Sequence, residues 1–222
     1  VEKGLFQKIK NKKIESNIIA DLKDVNSYWV PVTYRARLIV YSNERVLSSE
    51  LSTYEDLANP KWKGKIGFPP TNSSFHAMVT GMRLTWGEEK TKTWLEGIMA
   101  NEPTFYAKNT PTVEAAGKGE IEVGFVNHYY LHRFIAENGE SFAARNYHTS
   151  ADDPGSIVLV AGAGILEESD NKDAAEKFLK FLLSPVGQQF FASQTYEYPL
   201  NDGAKPNRNL TPLADIKKFD ID

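Results

Sequence analysis

Short apolar, β-branched runs recur along the chain, and segments of helical period separate them. Arg37-Leu38-Ile39-Val40-Tyr41, Lys65-Ile66-Gly67-Phe68, Val123-Gly124-Phe125-Val126 and Ile157-Val158-Leu159-Val160 have strand composition. Turn chemistry stops the first two, at Ser42-Asn43 and Pro69-Pro70. A further aromatic stretch, Tyr28-Trp29-Val30-Pro31-Val32, leads into the first run. Between the strands, Thr71-Asn72-Ser73-Ser74 opens an amphipathic helix with Phe75, Val79, Met82 and Leu84 as its expected core positions. Helical signals follow at 88–100, with Trp94, Leu95 and Ile98 inward, and at 112–116, 129–137, 173–183 and 184–192. A short helical turn is expected at 53–57, capped by Thr53 with Asp56 three residues on. Residues 5–25 read as a connector. Strands alternating with helices predict an α/β protein. In open α/β sheets, ligands bind beyond the carboxyl ends of strands. Two places qualify: the Phe68 strand running into Thr71–Ser74, and the Val126 strand running into Asn127–Tyr130.

Composition narrows the chemistry. The 26 basic and 29 acidic side chains leave a net charge of −3, and the densest basic cluster is Lys8, Lys10, Lys12 and Lys13. A nucleic-acid footprint needs a basic stripe, and none is present. The chain has no cysteine. Disulfides and thiolate metal sites are therefore excluded, and any metal must be held by imidazole, carboxylate or phenolate. No stretch approaches the roughly 18 apolar residues that span a bilayer.

Three constellations can carry chemistry. Asn127-His128-Tyr129-Tyr130 follows a strand. Adjacent side chains on a strand point opposite ways, but at a strand-to-helix switch two phenols can converge. A phenolate is a hard anionic donor suited to a hard trivalent cation. On the dipeptide alone, a pair of half-buried core-edge tyrosines is the simpler reading. The Thr71–Ser74 segment offers hydroxyls and helix-start N–H groups that suit an anion, or form an ordinary N-cap. Tyr34-Arg35-Ala36-Arg37 places two arginines on one strand face, either to neutralise an anion or as a solvated edge. The histidines, 76, 128, 132 and 148, read as surface residues; His128 and His132 are four apart but lack an HExxH pattern. Gly162-Ala163-Gly164 lacks the third glycine of a dinucleotide loop, Glu167 standing there, and reads as close backbone packing.

Taken together, Tyr34–Tyr41, Asn59–Gly67, Pro70–Phe75, Tyr106–Asn109, Gly119–Gly124, Val126–Tyr130, Asp153–Gly155 and Tyr196–Leu200 resemble, in order and spacing, the periplasmic ferric-ion-binding proteins of bacterial iron ABC transporters. The resemblance implies a two-lobed type II periplasmic binding protein fold with the metal in the cleft. It implies Tyr129 and Tyr130 as phenolate ligands of Fe3+. It places a synergistic phosphate or carbonate at Asn72, Ser73 and Ser74, with Asn109 and Asn127 in polar support and Arg35 as the arginine that holds carbonate. In some members a third tyrosine ligand lies early in the following helix; this sequence has His76 there.

Members of the family are longer and begin with segments this chain lacks. The resemblance thus implies a complete second lobe over 35–158 and an incomplete first lobe from 1–34 and 159–209, with 210–222 a C-terminal segment on the second lobe. An uncovered sheet edge in the first lobe would invite chain swapping or oligomerisation. The expected function is capture, without catalysis, of ferric iron by a periplasmic or extracellular membrane-associated protein, and delivery to an ABC permease. Rival readings are a binding protein for a phosphonate or organic acid, a metal-dependent hydrolase using His128 and His132, and the ligand-sensing domain of a regulator.

Overall fold

A computed structural model of the chain describes residues 1–16, 18–19, 22–150, 152–201 and 203–216. The expected C-terminal segment at 210–222 therefore lies, from 217 onward, outside the described residues. The chain falls into two compact units. One is built from Val1–Arg35 and Val160–Thr211, the other from Ala36–Leu159 with the segment from Pro212.

The second unit is an open, mixed sheet with helices on both faces. Its strands are the distal part of β1 (Val30–Ser42), β2 (Ile66–Phe68), β3 (Thr104–Phe105), β4 (Val123–Asn127) and β5 (Ala144–Tyr147). They lie in the order β3-β2-β4-β1-β5. β2 is parallel to β3 and β4, whereas β1 runs antiparallel to β4 and β5. The helices are α2 (Ser73–Trp86), α3 (Glu88–Ala100), α4 (Asn109–Gly117) and α5 (Tyr129–Asn138). Alternation along the strands feeds two cores. Ile39, Val123 and Phe125 join Phe68, Phe75, Met78 and Trp94 in one, while Leu38, Val40 and Val126 join Val113, Ala116 and Leu131 in the other. A sheet buried on both faces reads as continuous apolar runs, and every residue of β2 and β4 is buried.

This packing positions the strand ends. Phe68 of β2, Phe75 of α2 and Phe125 of β4 stack with centroids 4.7, 5.4 and 6.4 Å apart. Each buried ring contributes about 1.5–3 kcal/mol, so the start of α2 is fixed against the end of β4. Gly124 sets the opposite side. A Cβ there would lie 2.7 Å from Thr112 Cγ2 and 3.0 Å from the Gly67 carbonyl, so glycine lets α4 and β2 close on β4.

The first unit holds the proximal part of β1, which pairs with β7 (Tyr198–Pro199) through Thr33 and Tyr34. Its core gathers Ile9, Val30, Ile165, Leu179 and Leu183, with Ile14 of α1 (Lys12–Glu15). Leu179 lies on α6 (Lys172–Leu182), which is followed by α7 (Pro185–Phe190) and a π-helical turn, Phe191–Thr195. β6 (Val158–Ala163) also pairs with β1. Gly162 and Gly164 do pack closely, against the Trp29 ring and the Tyr28 carbonyl.

Two expectations about local structure change. Leu84 is 64% exposed and Met78 takes its place in the core. Helical geometry is the reason: Phe75, Met78 and Met82 share one face, while position 84 lies about 200° around from position 82. The stretch at 28–32, from Val30, and that at 37–41 join in one strand of 13 residues, Val30–Ser42, with Arg37 buried inside it instead of marking an edge.

Candidate functional site

The site grows from Arg37. Its side chain is 0% exposed, within the apolar run of β1, and its Cα partner on β4 is Asn127. A buried guanidinium must be hydrogen-bonded. Arg37 Nη1 donates to Asn127 Oδ1 at 3.1 Å and, at a longer 3.5 Å, to Asn109 Oδ1 at the start of α4. The guanidinium can only donate, so it fixes which way the Asn127 amide points. The Asn127 Nδ2 end therefore faces Ser74 Oγ, 3.3 Å away, and the Tyr129 phenol oxygen, 3.5 Å away.

β4 ends at Asn127 and α5 begins at Tyr129, so the two phenols occupy its first turn. Their rings stack, with centroids 4.4 Å apart and planes 30° from parallel. The side chains are half-buried, and Tyr130 also packs against the Leu131–Val126 core. Arg133, a turn further along α5, brings its guanidinium within 5.5 and 5.7 Å of the two ring centroids. That contact was not foreseen from sequence, although the spacing of three and four residues puts it on the same helical face.

The helix start opposite is built by Asn72. Its Oδ1 accepts the Ser74 N–H at 3.0 Å, an N-cap bond, so this side chain is occupied as the cap of α2. Ser73 is exposed and Ser74 buried. His76 sits exposed one turn on, its Nε2 2.8 Å from the Pro70 carbonyl. Arg35 is half-buried and is the last residue of the other unit; the arginine hydrogen-bonded to Asn109 and Asn127 is Arg37. Arg37 directly abuts the apolar run Leu38–Tyr41, which was the sequence signal for that difference.

His76 keeps the surface reading, whereas His128, His132 and His148 differ from it. His128 is 1% exposed. Its Nδ1 accepts the Ala36 N–H at 3.1 Å, and its ring stands edge-on to Tyr129. His148 is half-buried; burial, reinforced by His132, holds its pKa down at about 4. Burial likewise lowers His132, against the opposing charge of Glu140. Among the described residues, no group of three or more His, Asp or Glu side chains is placed to hold a metal. The oxygen donors at this strand end are the two phenols of the first turn of α5. A third phenol, Tyr54, is wholly buried; burial pushes its pKa far up, with Arg37 opposing, so it stays protonated.

Comparison with known proteins bears on the family and the fold. The chain is 32% identical to iron uptake protein A1 of a Synechocystis species over 97% of its own length and 62% of that protein's. It is 36% identical to the major ferric iron-binding protein of Neisseria meningitidis serogroup B over 85% of its length and 57% of the relative's. The chain thus spans about 60% of these relatives. The crystal structure of iron-bound HitA from Pseudomonas aeruginosa superposes with a TM-score of 0.91 at 29% identity, over 98% of this chain and 70% of that one. The fold is that of the type II periplasmic binding proteins. The family model for bacterial extracellular solute-binding proteins matches residues 1–218, and the chain belongs to that family.

Proposed function

We propose that the chain is the ferric-iron-binding part of an extracytoplasmic solute-binding protein, with Tyr129 and Tyr130 as its metal ligands. The observation that carries this is the stacked phenol pair at the end of β4, beside an amide donor oriented by a buried cation. Ferric iron is the cargo. At pH 7 a free phenol lies about 3 units below its pKa, so ionising each costs about 4 kcal/mol. A trivalent ion supplies more than that, because metal binding displaces the ligand proton, and tyrosinate is a known iron ligand. Two phenolates offset two of the three charges. A phosphate or carbonate at Ser73, Ser74 and Asn127 offsets more, with Arg37 as the fixed counter-charge beneath Asn127 and Asn109. Asn72 shapes that helix start by capping it, and His76 is the nearest candidate for a further donor on α2. Nothing in this chemistry breaks a covalent bond, so the role is capture and release to an ABC permease from the periplasm. The reading is supported by the relatives named above, which include an iron uptake protein, a major ferric iron-binding protein and an iron-bound HitA. The test is optical: ferric citrate should develop a phenolate-to-iron charge-transfer band, and Tyr129→Phe or Tyr130→Phe should lose it.

One observation favours a second reading. The Arg37–Asn127–Ser74 network would serve an oxyanion such as a phosphonate or organic acid without any metal. A protein that stays colourless under ferric loading yet is stabilised by such anions would favour it.

A further inference from the structure

We propose that His128 is a positioning residue for the tyrosine pair: its neutral imidazole replaces a missing strand carbonyl, so that the chain can leave the sheet and start α5 within one residue. The inference rests on the reading that Tyr129 and Tyr130 are the metal ligands.

The β1–β4 ladder runs from Tyr41↔Val123 to Arg37↔Asn127. One step further, Ala36 faces His128. The His128 N–H still donates to the Ala36 carbonyl at 3.0 Å, as a strand residue would. The return bond is different. His128 already has helical backbone angles, φ −55° and ψ −37°, so its own carbonyl has turned away. That carbonyl instead accepts from Asn146 Nδ2 on β5 at 2.8 Å. The Ala36 N–H, on a fully buried residue, is taken by His128 Nδ1 at 3.1 Å. An N–H can be accepted only by an unprotonated ring nitrogen, so the proton of this imidazole lies on Nε2. The turn that carries the phenols is thus tied to β1 and, beyond it, to β5, and the ring that ties it stands edge-on to Tyr129 at 5.5 Å and 85°.

The needed feature is an acceptor two bonds from Cβ. Asparagine offers Oδ1 there and leucine a methyl. Both lack the ring, so the pair isolates the acceptor. Glutamine carries an acceptor one bond too far and should behave like leucine.

The experiment measures ferric affinity by competition against citrate for wild type, H128N, H128L and H128Q, together with melting temperature and exchange of the Ala36 amide. Residues that orient metal ligands typically change affinity by about 10–100-fold when lost. That loss is expected in H128L and H128Q, with fast Ala36 exchange, while H128N stays near wild type. Equal affinity in all four, or equal loss in H128N and H128L, would overturn the proposal. Failure of the iron reading is visible separately, as a wild type that never colours. The near-ultraviolet circular dichroism of the tyrosine pair, assigned with Tyr129→Phe, then decides. A signal changed in H128L and restored in H128N supports the positioning role, and a signal unchanged in both refutes it.

Discussion

Asn127 Nδ2 lies 3.3 Å from Ser74 Oγ, so the last residue of β4 is hydrogen-bonded to the first turn of α2. This one amide also touches Arg37 on one side and the Tyr129 phenol oxygen on the other. It joins the buried cation, the helix start and the first tyrosine.

Replacing it should therefore hurt in two ways. Asn127→Ala removes an acceptor from the buried guanidinium, and hydrogen bonds to charged groups are worth about 1.5–3 kcal/mol. A loss of that size is expected in urea unfolding. Ferric affinity should fall as well. Asn127→Asp should keep the Arg37 bond but remove the donor facing Ser74 and Tyr129, giving near-normal stability with weakened ferric loading.

Anion dependence follows from the helix start. Ferric affinity should drop when phosphate and carbonate are removed from the buffer, and return on adding either. Ser74→Ala should blunt that response, whereas Asn72→Ala should chiefly destabilise α2, by about 1 kcal/mol as lost N-caps do. Isothermal titration with and without anion separates the two.

Much of this arrangement was legible in the chain, for identifiable reasons. The runs at 65–68 and 123–126 stood out because the sheet is buried on both faces and the apolar signal is continuous. The step from Val126 into Tyr129–Tyr130 marked a strand end and the start of a helix. What failed depended on contacts far along the sequence. Nothing near His128 announces that it meets Ala36, 92 residues away. Nor does anything near Arg37 announce that it, and not Arg35, meets Asn109 and Asn127, 72 and 90 residues away. Leu84 failed for a local reason, an apolar residue placed off the helical face that Phe75 and Met82 define.

His148 makes stability depend on pH. Its folded pKa, about 4, lies below the ordinary value near 6.5, chiefly from burial and then from His132. Between those values the unfolded chain binds the proton and the folded one does not. The contribution is thus complete above about pH 6.5 and is lost as pH falls toward 4. Urea midpoints for wild type should decline across that window. His148→Phe should show a flatter decline; an identical slope would refute this.

The most direct measurement is the visible spectrum during ferric citrate titration of wild type, Tyr129→Phe, Tyr130→Phe and the double variant. A broad phenolate-to-iron band is expected to rise and saturate at one ferric ion per chain in wild type, shift and weaken in each single variant, and vanish in the double. A wild type that stays colourless, or a double variant that colours as strongly, would contradict the assignment of the two phenols.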